Sequence, residues 1–470
     1  MSTAVVVGSG PNGLACAANL AARGVGVTVI EAAERVGGGA RSAELTVPGL
    51  IHDICSASHP MSVESPALAP LGLDRYGLEW AWAEIDLVHP LDAGPAAVME
   101  RSLEQTVEWL GAEGGAAWRR LFGAPSRSFG RLCEDILRPI VHVPRHPLLL
   151  ARFGAQAALP AKALARGLKT AQARALFAGV AAHGYAPFGR PFSASVAMAL
   201  VCSCHRFGWP VAKGGSGAIS EALAAFVLDH GGRIETGRPV SSLAELPEAD
   251  AVVLDLVPGA VADIAGQRLP ARVARAYRRY RHGPGAFKVD LAVEGGVPWR
   301  DEPARRAGTV HLGGGFEEIA RAEADVNRGR MPERPFVLVG QQYLADPSRS
   351  AGDVHPVWAY AHVPAGYDGD ATEAIVGQFE RFAPGLRERI VAKATRSAPE
   401  FQAYNANYVG GDIIGGANDP IQTAIRPRFA LDPYATGIPG VYICSAATPP
   451  GAGAHGMGGY NAALSVLSHL

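Results

Sequence analysis

Ala4-Val5-Val6-Val7-Gly8-Ser9-Gly10-Pro11-Asn12-Gly13-Leu14 is the stretch whose reading decides the fold. Its first four residues are a short apolar run, the pattern of a parallel strand buried on both faces. Leu14 to Arg23 then reads as an Ala-rich helix, closed by Gly24 and Gly26. Val27-Thr28-Val29-Ile30 is the next strand, ending at Glu31 and Ala32. The whole is a βαβ unit of about 30 residues with GxGxxG at its turn and an acid at the end of its second strand. Gly8 makes the tight turn, Gly10 admits a pyrophosphate to the backbone, and Gly13 lets the helix lie on the strand. Ser9, Pro11 and Asn12 complete the turn, and the helix start offers free N–H groups and a positive dipole end. Glu31 accepts from a ribose 2′-OH and repels a 2′-phosphate, so the expected ligand is an adenine dinucleotide other than NADP.

Three further pieces follow. Arg35-Val36-Gly37-Gly38-Gly39-Ala40-Arg41-Ser42 is a glycine cluster with a basic residue, suited to close approach of more phosphate and a ribityl chain. Gly208-Trp209-Pro210-Val211-Ala212-Lys213-Gly214-Gly215-Ser216-Gly217-Ala218 precedes an amphipathic helix, after which Arg233 to Val240 returns as a strand; Ala251 to Leu256 reads as another. Near the end, Gly440 to Cys444 reads as a strand. Ser445-Ala446 opens a Gly/Pro loop through His455-Gly456-Met457-Gly458-Gly459-Tyr460, and a closing helix runs from Asn461 to Leu470.

These pieces resemble the FAD-dependent amine oxidase and phytoene desaturase superfamily, in its phytoene desaturase-like branch. Within it the chain is most similar to the pyridine nucleotide-disulphide oxidoreductase domain-containing protein 2 group. The resemblance spans nearly the full chain. It implies an α/β fold: a Rossmann-type FAD-binding domain of the two-dinucleotide flavoprotein kind, with an inserted α+β substrate domain. The expected boundaries are 1–75, 206–275 and 416–470 for the three FAD-binding parts. A mostly helical first substrate part spans 76–205 and a second spans 276–415. The resemblance places Gly38, Gly39, Ala40 and Arg41 on the cofactor's phosphates, although the family's usual Arg after the Gly-Gly pair is Gly39 here. It puts the Val240 backbone on the adenine side. Ser445, Ala446, Gly456, Met457 and Gly458 fall at the flavin ring, where a helix N-terminus stabilises the charge of the reduced cofactor.

The resemblance also nominates reacting groups. Lys288, entering the strand-like run Phe287 to Val293, matches a lysine that stands near the flavin in amine oxidases. Tyr460 matches one of the paired tyrosines of the amine-oxidase cage. The second cage position falls near Val409 to Ile413 and offers isoleucine, and Asp412 stands where some relatives carry a flavin-linking cysteine. The expectation is therefore non-covalent FAD and a weakened case for amine oxidation. His183 lies in an apolar helical region, where it serves as an acid or base, or as a core histidine, the commoner role. His311, Tyr360 and His362 carry the same two readings.

The rest of the chain bounds the function. At 470 residues it can bury a large core. A net charge of -1 gives no reason to expect nucleic acid. The six cysteines show no CxxC and no zinc spacing, only Cys202 and Cys204 as C-x-C, and read as reduced thiols. No metal site is expected. Absence of a basic leader segment and of a long apolar helix points to the cytoplasm. Arg131 to Arg174 is basic and apolar; a solvated helical face is the favoured reading, and peripheral membrane contact the other. No second GxGxxG unit accompanies the first, so O2 or a quinone is the expected electron acceptor. The expected activity is an FAD-dependent dehydrogenase, desaturase or oxidase of a small, largely apolar organic substrate. The alternatives are a redox-neutral or reductive flavoenzyme, such as a double-bond isomerase or saturase, and a flavin-containing interaction protein without turnover.

Overall fold

The structure, a computed structural model, describes residues 2–470. Two sheets organise it. The first is parallel throughout, with Thr3–Val7 at its centre. Gly26–Ile30 and then Arg233–Glu235 lie on one side; Ala251–Leu254 and then Val441–Ile443 lie on the other. Start, middle and end of the chain thus build one layer. The run Ala4 to Val7 is buried along its length, as a strand covered on both faces must be.

The helix Pro11–Ala21 follows the first strand after a three-residue turn. Proline at its start costs nothing, because that N–H has no partner inside the helix. Its small residues let the C-terminal helix Met457–Leu467 press against it: a Cβ on Gly459 would stand 1.8 Å from the Asn12 carbonyl oxygen. Gly13 is held as tightly, 2.1 Å from the Gly8 carbonyl by the same measure.

The second sheet has seven strands, in the order Ile390–Arg396, Gly285–Glu294, Val354–Val363, Val337–Gly340, Ala307–Leu312, Ile85–His89 and Ala97–Met99. Every pair is antiparallel except Ala307–Leu312 with Ile85–His89. Alternation gives it two unlike faces. Phe287, Val289, Leu291, Val357, Ala359, Val337, Val339 and Val310 form one, closed by Ile375, Phe379 and Phe382 of the helix Thr372–Phe382. The other face carries polar and aromatic side chains. In register across five strands stand Arg396, Lys288, Tyr360, Leu338 and His311; Asp290 pairs with Trp358, and Ala286 with His362.

Helices between residues 103 and 207 complete this side of the molecule, led by Gly111–Arg127, Ala171–Ala182 and Ser195–Phe207. The region 76–205, expected to be mostly helical, also supplies the strands Ile85–His89 and Ala97–Met99 to the second sheet. The helix Ala171–Ala182 passes so close to that sheet that a Cβ on Gly179 would meet His311 Nδ1 at 2.4 Å and His89 Nδ1 at 2.9 Å. Among the described residues, no helix is long and apolar enough to cross a membrane.

Candidate functional site

Two glycine loops meet at the carboxyl end of the parallel sheet. Gly8 has φ 96°, left-handed backbone that a side chain resists, and Gly10 is extended at the helix start. Gly37 and Gly38 are also left-handed, at φ 119° and 51°. The Gly37 N–H donates to the Ser9 carbonyl at 2.9 Å, and a Cβ on Gly38 would stand 2.9 Å from the Gly10 Cα. On Gly39 it would stand 2.1 Å from the Tyr408 hydroxyl. Backbone therefore lines this cradle wherever a side chain would close it.

Glu31 is fixed beside it. It accepts from the Ser9 N–H at 2.8 Å, the Ser9 hydroxyl at 2.5 Å and the Ala33 N–H at 2.9 Å. Arg41 Nη2 lies 3.6 Å from Glu31 Oε1, while its guanidinium also donates to the Val36 and Arg35 carbonyls. The Arg238 N–H donates to the Glu31 carbonyl at 2.9 Å, and Val240 packs against the apolar cluster that includes Val5, Val7 and Ile30. Ala32 and Ala40 lie in the two loops, and Ala40 accepts from the Ser220 hydroxyl at 3.0 Å.

The C-terminal loop closes the cradle. The Ser445 carbonyl accepts from the Thr448 hydroxyl at 2.7 Å, and Ala446 packs against Gly415. Gly456 caps the last helix at φ 69°, and the Met457 N–H donates to His455 Nδ1 at 3.1 Å. A Cβ on Gly458 would stand 2.9 Å from the Cys444 carbonyl and 3.1 Å from Asn12 Oδ1. That Asn12 oxygen is buried without a hydrogen-bond partner. Two adjacent helix N-termini, backbone-lined loops, an oriented acid and an orphaned amide oxygen fit FAD: anions need the first two, and a ribose or flavin N–H the rest.

The polar face of the second sheet holds the other half of the site. Lys288 is 1% exposed and ion-paired with Asp290. Its ammonium stands 5.9 Å from the Trp358 ring centre. His52 Nδ1 lies 3.3 Å from the other Asp290 oxygen. Burial pulls the Lys288 pKa down, and Asp290 works against that shift. Cys55 adjoins Lys288 and Tyr408, and burial raises its pKa.

Farther along the same face, His183 Nε2 stands 3.0 Å from His311 Nε2, and its ring lies 5.8 Å from that of Trp209. His89 bonds the Gly314 carbonyl at 2.7 Å. Burial pushes His183 down to about 3 and His89 to about 4, so these rings are neutral. His362 meets Glu323 at 2.7 Å, and its ring lies 3.7 Å from that of Tyr185, which stacks parallel to Tyr360 at 6.4 Å. Tyr185 has φ 52°, a strained backbone for a tyrosine. Lys288 and His183 thus share one sheet face, linked by the Tyr360–Leu338–His311 row. Tyr460 is placed differently: half-buried on the last helix, its ring lies under the Arg23 guanidinium at 6.0 Å. Asp412 holds a turn, accepting from the Gly283 and Ile414 N–H groups. Among the described residues, no three His, Cys, Asp or Glu side chains converge as a metal site.

Sequence reasoning missed His52, Cys55, His89, Tyr185, Asp290, Glu323 and Trp358. One signal was available: Trp358, Tyr360 and His362 alternate with Ala359, Ala361 and Val363. Lys288 and Asp290 alternate with valine and leucine in the same way.

Known proteins share this architecture. Residues 6–70 match the family described as NAD(P)-binding Rossmann-like domain. A putrescine oxidase triple mutant redesigned in its cofactor binding superposes with a TM-score of 0.66 at 17% identity, covering 100% of this chain and 99% of that one. The mouse pyridine nucleotide-disulfide oxidoreductase domain-containing protein 2 is 23% identical over 99% of this chain and 93% of its own length. The fold is that of FAD-dependent amine oxidase-type structures, with a Rossmann-like dinucleotide-binding domain. A hydroxyneurosporene desaturase of Cereibacter sphaeroides is 29% identical over 51% of this chain and 50% of its own. The segment 52–56 joins the glycine cradle to the polar sheet face: the Ile54 and Ser56 N–H groups donate to the Arg41 and Gly39 carbonyls, while His52 faces Asp290.

Proposed function

We propose that this chain is an FAD-dependent oxidoreductase that takes hydride from a C–H bond of a small, largely apolar organic substrate. A dehydrogenase, desaturase or oxidase would each fit, with O2 or a quinone as electron acceptor. The observation that carries the reading is the buried, aromatic sheet face carrying the Lys288–Asp290 pair, joined through segment 52–56 to a backbone-lined dinucleotide cradle. When bound, FAD supplies the two-electron acceptor. The protein's part is to orient and to exclude water. Tyr185, Tyr360, Trp209 and Trp358 offer apolar walls, and the neutral rings of His183 and His311 offer hydrogen bonds without charge. Lys288, with its pKa lowered by burial, holds or releases a proton at Nζ, and Asp290 sets that balance. The acid-or-base role expected of His183 gives way to that of a neutral hydrogen-bonding ring, through the nitrogen that does not face His311.

The test is the visible spectrum of the purified protein, followed by anaerobic reduction and admission of air. Bound flavin with rapid recovery of colour supports an oxidase; slow recovery supports a quinone-linked dehydrogenase or desaturase, or an isomerase. A protein that takes up no flavin from added FAD refutes the reading. Gly10→Glu sets a carboxylate against the pyrophosphate and is expected to abolish flavin retention, read as the flavin-to-protein absorbance ratio.

Peripheral membrane contact has support of its own. Val143 is 89% exposed and Leu148 87%, with Ile140 and Val141 beside them. Arg138, Arg145 and Arg152 flank this apolar tip, a pairing that favours an anionic lipid surface. Flotation with anionic vesicles, lost in a Val143→Glu and Leu148→Glu double variant, tests it.

A further inference from the structure

The carboxylate of Asp255 stands where the cradle expects an anion from outside. Asp255 follows the strand Ala251–Leu254, and its N–H donates to the Val7 carbonyl at 2.8 Å. Its side chain turns across the glycine loop. The Gly13 N–H donates to Oδ2 at 2.9 Å. A Cβ on Gly10 would stand 2.7 Å from the same oxygen, and a Cβ on Gly13 3.0 Å. The space those glycines leave open, and one N–H of the helix start, are thus held by an acid that is 7% exposed.

The groups around it are few. Glu31, at the end of Gly26–Ile30, is a second carboxylate. Arg41 approaches Glu31 only to 3.6 Å. Cys444 follows the strand Val441–Ile443, and Cys16 lies on the helix behind. Asn407 donates to the Asp255 carbonyl at 3.1 Å and carries no charge. No ammonium or guanidinium pairs with Asp255 among the described residues. A pyrophosphate arriving at these N–H groups would meet two carboxylates, and no cation is paired with Asp255 to offset its charge.

We propose that Asp255 holds the dinucleotide as its neutral acid, donating a hydrogen bond to a phosphate oxygen, so that binding takes up one proton from solvent. This rests on the dinucleotide reading above. Burial pushes the Asp255 pKa up to about 7, with the Gly13 and Gly10 N–H groups opposing and Glu31 reinforcing the shift, so the proton is within reach near neutrality. Above that pKa the acid must be protonated before or as the ligand enters, and affinity falls. Below it, affinity is level.

The experiment titrates flavin-free full-length protein with FAD from about pH 6 to about pH 9, reading quenched flavin fluorescence. Calorimetry in buffers of different ionisation heat counts the protons. Kd is expected to weaken about tenfold per pH unit above about 7, with about one proton taken up. Asp255→Asn, permanently neutral, is expected to flatten the profile, and Glu31→Gln to keep the slope. A level wild-type profile without proton uptake overturns the proposal. So does an unchanged slope in Asp255→Asn, or loss of the slope in Glu31→Gln instead. If Asp255→Asn does not fold, the wild-type proton count decides. Folded protein that binds no FAD at any pH overturns the dinucleotide reading beneath it as well, and is thereby distinguished.

Discussion

Two buried ion clusters start from adjacent residues of the strand Ile51–Asp53 and point opposite ways. Asp53 accepts from Arg349 at 2.6 Å, the Ser216 N–H at 2.6 Å and the Ser42 hydroxyl at 2.7 Å. Arg349, 1% exposed, also donates to Asp346 and to the Ala212 carbonyl. Burial raises the pKa of Asp53, but Arg349 and the Ser216 N–H outweigh it and hold the carboxyl below its usual range. His52, one residue earlier, faces Asp290 and Lys288. There His52 Nδ1 and Asp290 Oδ1 lack hydrogen-bond partners, and the pKa of Lys288 is lowered. A saturated cluster is architecture: each guanidinium nitrogen of Arg349 makes a hydrogen bond, and together they tie the 346–349 loop to Asp53 and the segment 212–216. An unsaturated one keeps capacity for a ligand and a proton.

The contrast is broken most severely by Arg349→Met. It leaves Asp53 and Asp346 buried without a cation, a loss of about 3–5 kcal/mol. Thermal melting is the measurement, and an unchanged midpoint would show that the network clamps nothing. Flavin affinity per folded molecule should stay near wild type.

The opposite outcome is expected of the paired change Lys288→Met with Asp290→Asn. Removing both charges of a buried pair together is close to neutral for stability. Turnover, read as the rate of flavin reduction under excess substrate, should fall about 10²-fold or more, the usual worth of a positioned proton-transfer group. Loss of melting temperature with retained turnover would exchange the roles of the two clusters.

The same comparison explains what was legible in the sequence. Gly8 to Gly13, Glu31 and the 37–41 loop are one local unit, and every constraint on them is expressed within about 40 residues. The strand Thr3–Val7 and the helix Pro11–Ala21 accordingly lie within three residues of where their pattern places them. Asp53 and Arg349 are 296 positions apart, and His183 and His311 are 128 apart. No spacing rule joins such residues; only the register of Gly285–Glu294, Val354–Val363, Val337–Gly340 and Ala307–Leu312 does. The resemblance nominated Lys288, but only the strand register puts it and Tyr360 on one face. Asp255 escaped because a lone acid after a strand carries no pattern.

Acid should act on the histidines before it reaches either carboxylate cluster. Burial lowers His183 to about 3, and His89, His59, His205 and His455 to about 4, against an unfolded value of 6.5. Between those values the unfolded chain binds protons that the folded chain refuses, so stability rises with pH there and is lost as pH falls from 6.5 toward 4. Each such histidine contributes at most about 1.4 kcal/mol per pH unit. Melting temperature is expected to fall steadily between about pH 6.5 and about pH 4. A flat profile would mean that water or a neighbouring carboxylate reaches these rings.

The smallest expected effect gives the sharpest view of the unsaturated cluster. Thr46 Oγ1 lies 2.8 Å from His52 Nε2, and that bond selects which ring nitrogen faces Asp290. Thr46→Val keeps the side-chain shape and removes the bond, at a cost of about 1 kcal/mol. Freed of that partner, the His52 ring can turn or change tautomer. Asp290 then interacts less steadily with His52 and more with Lys288, whose pKa should rise. The acid-to-base transition in the rate of flavin reduction should move to higher pH by a fraction of a unit, with its plateau nearly unchanged. A plateau that drops while the transition stays would instead make Thr46 a packing residue and sever His52 from the chemistry of Lys288.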